Sequence, residues 1–151
     1  MNFENLKAVI DFAMEKEKEA EAFYLELCAE ETMSGAKQLF SDFAKEERRH
    51  QKMLQDLGGA EMTGYKFKWI TDLKRSDFVI DLEYKKGLGY REILMIAMKR
   101  EEKALELYNQ LQANAKEEKQ QKLFKILCQE EAKHKLALET MYDDYMAKMG
   151  D

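Results

Sequence analysis

The chain contains only two histidines, and both close the same five-residue pattern: Glu46-Glu47-Arg48-Arg49-His50 and Glu130-Glu131-Ala132-Lys133-His134. Residues three apart on a helix share a face. Glu47 with His50, and Glu131 with His134, can therefore each present a carboxylate and an imidazole to one side of a metal ion. Acidic residues number 30 of 151. At that density, chance puts an acidic pair in this place before both histidines only about once in several hundred sequences.

The same offset relates residues further upstream. Ala13-Met14-x-x-Glu17-x-x-Ala20-x-x-x-Tyr24 is matched by Ala97-Met98-x-x-Glu101-x-x-Ala104-x-x-x-Tyr108. Leu39-Phe40 matches Leu123-Phe124, and Leu27 and Leu54 match Leu111 and Leu138, without a gap. The pattern is that of one helical hairpin present twice, not of a solenoid array. Each copy brings a lone glutamate, Glu17 or Glu101, on its first helix and a Glu-x-x-His on its second. Folding the first copy about Thr32-Met33-Ser34-Gly35 sets Glu17 opposite Glu47–His50. Folding the second near Asn114 sets Glu101 opposite Glu131–His134.

Four carboxylates and two imidazoles inside a bundle repel one another and lose hydration unless protons or cations offset them. Two divalent cations balance four glutamates. Bridging carboxylates would hold such ions ~3.5–4 Å apart, a spacing suited to two-metal chemistry. Glu47 and Glu131 are the expected bridges, each tied to a histidine on its own turn, and Glu17 and Glu101 the terminal ligands. The donor set suits Fe(II) or Mn(II), with redox-silent zinc as an alternative. Iron is the choice here, because paired irons with open positions accept O2 or peroxide and deliver two electrons.

Further residues are placed to support these ligands. Tyr24 and Tyr108 follow the lone glutamates by seven residues on the same face, and helical side chains lean toward the N-terminus. Each hydroxyl is expected to reach back toward that carboxylate. Glu46 and Glu130 stand four before the histidines. They either accept an imidazole N–H and set its tautomer, or are exposed acids on the helix face.

Four helices must carry these residues: about Asn5–Ala29, Ala36–Leu57, Tyr90–Ala113 and Glu117–Lys148, with Gly58-Gly59 ending the second. The absence of proline and the richness in Leu, Met, Ala, Glu and Lys favour helix throughout. One domain over residues 1–151 is expected, with hairpins at about 3–57 and 87–141 and a crossover at about 58–88. A long crossover lets the second and third helices run parallel. It carries Tyr65, Phe67, Trp69 and Phe78, read as packing in the bundle groove or as a partner patch, and a short helix between Asp72 and Asp81.

A net charge of −5, with basic residues interleaved among acidic ones, leaves no positive stripe for nucleic acid. No apolar stretch is long enough for a membrane span and no signal peptide opens the chain, so a soluble cytoplasmic protein is expected. Cys28 and Cys128 form no Cys-x-x-Cys and read as small buried residues, Cys128 standing one turn before Glu131.

With these residues in place, the chain resembles the ferritin-like superfamily, and most closely the rubrerythrin-like diiron domain. The resemblance rests on both Glu-to-Tyr segments, both Glu-Glu-x-x-His segments and the long connection, and covers nearly the whole chain. Ferritin-like dimetal bundles take one Glu from each of two helices and Glu-x-x-His from each of the others. It implies an all-α ferritin-like four-helix bundle with two iron ions, commonly dimeric, that reduces hydrogen peroxide or O2 or oxidises Fe(II). Rubrerythrins usually add a rubredoxin domain with Cys-x-x-Cys pairs. This chain has none, so an external donor such as a rubredoxin-type protein is implied. They also place an extra glutamate one turn after the third-helix ligand, where this chain has Ala104. Bacterioferritins set a haem-binding Met directly after the second-helix Glu; Arg48 stands there, and no haem is expected. An iron-storage subunit and a non-catalytic metal-stabilised bundle are the alternatives.

Overall fold

The computed structural model describes residues 6–60, 84–85 and 87–149. Four long helices account for most of them: α1 (Leu6–Ala29), α2 (Lys37–Ala60), α3 (Tyr90–Asn114) and α4 (Glu118–Met149). The chain forms an all-α, ferritin-like four-helix bundle, with α1 packed on α2 and α3 on α4.

Both hairpin turns lie close to the positions expected from sequence. Glu30 leaves helical geometry at φ −79°, ψ 132°, and a short 3-10 helix, Glu31–Ala36, leads into α2. Thr32–Gly35 thus lie inside this 3-10 turn, and the break itself falls at Glu30. Met33 is fully buried, so an apolar plug pins the turn. In the second hairpin Asn114 ends α3, its Nδ2 donating to Gln110 O at 2.8 Å. Ala115 is extended, and Gln121 Nε2 caps its carbonyl at 2.7 Å.

One boundary differs from expectation. α2 continues through Gly58 and Gly59 to Ala60. Glycine permits a left-handed helix end but does not compel one, and its cost inside a helix is only about 1 kcal/mol. The aromatic segment Tyr65–Trp69, Phe78 and the expected short helix at Asp72–Asp81 lie outside the described residues. Where the chain re-enters, Gly87 adopts φ +97°, a conformation that favours glycine. Tyr84 then ties this end to α1, donating to Glu30 Oε1 at 2.5 Å and meeting Phe23 edge-on.

The interior has three layers. One apolar cluster joins Val9, Ile10 and Ala13 to Leu54, Leu107, Tyr108, Leu111, Phe124 and Leu127. The other joins Phe23, Tyr24 and Leu27 to Phe40, Phe43, Ile93, Leu94, Ala97 and Leu138. The repeat offset carries most members of the first cluster onto members of the second, as a pseudo-twofold axis requires. Each cluster joins the open end of one hairpin to the turn end of the other. α1 is therefore antiparallel to α3, α2 runs parallel to α3, and a long connection between them is unavoidable. Between the clusters lies a layer of buried polar residues. No helix among the described residues is long and apolar enough to cross a membrane.

Candidate metal centre

The polar layer holds the six side chains singled out by their spacing. Glu17, Glu47, His50, Glu101, Glu131 and His134 are each no more than 2 % exposed. Ionisable groups this deeply buried require partners. Each helix supplies its share at mid-length, where the two apolar clusters leave a gap: Glu17 from α1, Glu47 and His50 from α2, Glu101 from α3, Glu131 and His134 from α4.

The six form two overlapping groups whose ligand atoms lie within 4.8 Å of one another: Glu17, Glu47, His50 and Glu131, and Glu47, Glu101, Glu131 and His134. Glu47 and Glu131 belong to both. His50 Nδ1 stands 3.0 Å from Glu131 Oε1 and 3.4 Å from Glu17 Oε2. His134 Nδ1 stands 3.0 Å from Glu47 Oε1 and 3.4 Å from Glu101 Oε1. The imidazoles are roughly parallel, 6.4 Å apart.

The fit to a metal pair is tested by hydrogen bonding. Each of the six residues has one buried polar atom with no hydrogen-bond partner: Glu17 Oε2, Glu47 Oε1, His50 Nδ1, Glu101 Oε2, Glu131 Oε1 and His134 Nδ1. The opposite ring nitrogens are engaged. His50 Nε2 lies 2.5 Å from Glu130 Oε2, and His134 Nε2 is hydrogen-bonded to Glu46. A carboxylate at Nε2 fixes the proton there, which leaves Nδ1 a bare lone pair facing carboxylate oxygens. Acceptors facing acceptors in a water-poor interior are what a bound cation resolves. The residues fit a pair of divalent ions.

In the metal-free protein protons partly stand in for those ions. Burial, and then the charges of Glu131, Glu17 and Glu101, push Glu47 well above the usual carboxylate range. Burial and the charges of Glu101 and Glu17 do the same to Glu131. Burial would lower His50 and His134, but Glu17 with Glu130, and Glu101 with Glu46, outweigh it and raise both. Burial also opposes ionisation of Glu17, yet the nearness of Glu47 and His50 and the Tyr108 hydroxyl hold it below its ordinary value.

The supporting residues differ from the expected arrangement in one respect. Tyr24 does not reach back to Glu17. It donates to Glu101 Oε1 at 2.5 Å, and Tyr108 donates to Glu17 Oε1 at 2.6 Å. Seven residues of helix separate a tyrosine from its own glutamate by about 10 Å, whereas the antiparallel partner helix brings the other glutamate alongside. The same exchange governs Glu130 and Glu46, which hold the histidine of the opposite hairpin. Repeat-related stacks back the tyrosines: Tyr24 on Phe40, Tyr108 on Phe124.

Three further features escape a reading of the repeat. Arg49 pairs with the far side of Glu130, giving a chain Arg49–Glu130–His50 that holds Glu130 below its ordinary range against the opposing effect of burial. Phe43 stacks on His134 with ring centres 4.0 Å apart. A pocket between α1 and α3 reaches Glu47 and Glu131. Arg49 and Phe43 leave no repeat signature, because Lys133 and Leu127 stand at the equivalent positions. Of the cysteines, Cys128 is buried and donates to Asn109 Oδ1 at 3.3 Å, its thiol pushed up to about 11 by burial and by Glu131. Cys28 is half-buried and faces Lys37 O at 3.6 Å.

The fold and the site agree with what the chain is similar to. A hypothetical protein from Pyrococcus furiosus superposes with a TM-score of 0.72 at 25% identity, covering 91% of this chain and 88% of that one. A comparison with curated protein sequences gives no match. The Rubrerythrin family matches over residues 2–58 and 75–148, which takes in all four helices and all six clustered side chains. The chain is a member of the rubrerythrin family.

Proposed function

We propose that this chain is a non-haem dimetal oxidoreductase, with iron as its metal. In this reading it reduces hydrogen peroxide or O2, or oxidises Fe(II), with electrons from a separate donor protein. The observation that carries the reading is the set of six unpartnered buried atoms, one from each of Glu17, Glu47, His50, Glu101, Glu131 and His134. Glu47 and Glu131 belong to both candidate groups and would be shared by the two ions; Glu17 with His50, and Glu101 with His134, would complete the two ends. Bound iron would supply two electrons and open coordination positions for peroxide or O2.

The chain's own residues then have definite tasks. Glu130 and Glu46 keep the histidine protons at Nε2, so that Nδ1 is free to ligate. Tyr24 and Tyr108 each spend one lone pair of a terminal glutamate and fix the direction of its other oxygen. Burial pushes both phenols well above their ordinary value, with Glu101 and Glu17 adding to the shift, so they stay neutral donors. The apolar clusters pack on both sides of the site, and the pocket between α1 and α3 reaches it.

Anaerobic loading with Fe(II), followed by rapid mixing with hydrogen peroxide, tests the reading. Oxidation of about two irons per chain, faster than that of free Fe(II), is expected. Glu47→Ala and His134→Ala should abolish it. Oxidation no faster than free iron would remove the enzymatic reading and leave a metal-stabilised bundle. A homodimer is expected by mass in solution; a large hollow assembly holding many irons would instead favour storage.

A further inference from the structure

Aromatic rings lead outward from one end of the polar layer. Tyr24 donates to Glu101 and stands edge-on to His134, 6.5 Å between ring centres. Phe23 lies 5.3 Å from Tyr24, and Tyr84 lies 5.6 Å from Phe23. Tyr84 is only half-buried, so the series reaches the surface. Its hydroxyl donates to Glu30 Oε1 at 2.5 Å, the short distance of a bond to a carboxylate. Burial and Glu30 push this phenol well above its ordinary value, so it keeps its proton at neutral pH.

The second hairpin has no such series. Tyr108 makes the matching contact with Glu17, but Leu107 and Leu127 stand where the first hairpin has Phe23 and Phe43. Among the described residues Tyr108 meets no ring except Phe124. Packing alone is served by leucine, as those two positions show. What the first hairpin gains is a run of π systems with a phenol at each end and a proton acceptor at the outer one. Phe23 has no hydroxyl and is far harder to oxidise than a tyrosine, and the Arg100 guanidinium 4.8 Å from its ring opposes positive charge there. It bridges the tyrosines without being oxidised itself.

We propose that Tyr84, Phe23 and Tyr24 form a path for single electrons from the surface to the Glu101–His134 end of the site, with Glu30 taking the proton that Tyr84 releases. The inference rests on the dimetal reading above. Hydrogen peroxide needs two electrons and two protons to become two waters. With both irons already ferric, those electrons must come from the protein and its donor. Each transfer breaks the Tyr84 O–H bond. The proton passes to Glu30, and the electron moves by Phe23 to a Tyr24 that has given up one toward the site. The proton of Tyr24 shifts to Glu101 Oε1 and returns as the electron arrives. The donor protein then reduces the Tyr84 radical, and Glu30 hands its proton back. Two such cycles, with two protons from solvent, convert one peroxide to two waters.

Iron-loaded protein, oxidised in air and then given hydrogen peroxide with a nitrone spin trap in place of the donor, provides the test. A tyrosyl signal on rapid freezing and a nitrone adduct on Tyr84, located by peptide mass mapping, are expected. Tyr84→Phe should lose the adduct and confine the signal to buried tyrosine. Tyr24→Phe should lose the Tyr84 adduct, whereas Tyr108→Phe, which removes the matching hydrogen bond from Glu17, should keep it. Glu30 stands at the hairpin break, away from the six clustered side chains. Glu30→Gln should leave iron uptake unchanged and diminish the adduct. An adduct that survives in Tyr24→Phe, falls equally in Tyr108→Phe or is undiminished in Glu30→Gln would overturn the inference alone. So would a wild type that takes up and oxidises its iron yet yields no adduct. Failure of the wild type to take up iron would overturn the dimetal reading together with it.

Discussion

The two ends of the polar layer are built from equivalent ligands but differently supported. At one end, His50 leans on Glu130, which is 19% exposed and clamped from behind by Arg49. At the other, His134 leans on Glu46, which is 43% exposed, and among the described residues Lys133, the counterpart of Arg49, makes no ion pair with it. The second end has a different aid: Phe43 stacks against His134, whereas its counterpart in the second hairpin is Leu127, which has no ring to stack. Duplication thus explains the six clustered side chains, while divergence between the copies has made one histidine charge-braced and the other packing-braced. The braced carboxylate costs less motion to hold in place, so the His50 end is expected to be the stiffer of the two.

The largest expected effect tests what the ends share. Glu47→Gln or Glu131→Gln should cost both ions, whereas Glu17→Gln and Glu101→Gln should each impair mainly one end. Calorimetric metal titration separates these outcomes. Loss of a single ion in the Glu47 variant would break the assignment of that residue as a bridge.

Next in size is the pH response of the metal-free protein. Glu47 and Glu131 titrate above 4.5, and His50 and His134 above 6.5. A raised folded pKa means that the native state holds the proton more tightly. Its stabilisation is full below the unfolded value and is lost as pH rises through the folded one. Glu17 and Glu130 are lowered and act in the opposite sense, their contribution being lost only as pH falls through their folded values. The melting temperature of metal-free protein should therefore fall as pH is raised from about 6.5, when the histidines give up their protons. Metal uptake competes with those protons, so affinity should rise over the same range. A metal-free melting temperature that climbs with pH would contradict this protonation pattern.

Smaller still is the difference between the ends. Arg49→Ala should weaken the His50-side ion by about tenfold, the low end of what loss of an orienting group costs, and Lys133→Ala should change little. Equal effects would erase the comparison. The least effect is structural: Tyr24→Phe and Tyr108→Phe each leave a buried glutamate oxygen without its donor. Each should lower stability by about 1–3 kcal/mol in chemical denaturation, nearly equally.

Why some of this was legible in the sequence follows from the same comparison. Glu17, Glu47, His50 and their counterparts could be found because duplication repeats them at one offset, and helical spacing puts them on one face. The hydrogen bonds of Tyr24, Tyr108, Glu46 and Glu130 were only half legible. Their residue types signalled support for the ligands, but the partner lies on the other hairpin, and how two hairpins dock is not encoded in local spacing. Arg49 and Phe43 were opaque because each appears in one copy only. Gly58-Gly59 misled at the end of α2, since a residue that permits a helix stop was read as imposing one.

The central claim is that six buried side chains hold two metal ions between them, and anomalous diffraction from crystals grown with iron or manganese tests it most directly. Two peaks are expected, one among Glu17, Glu47, His50 and Glu131, the other among Glu47, Glu101, Glu131 and His134, with each histidine ligating through Nδ1. A layer that binds no metal, or ions found only on the surface, would contradict the account.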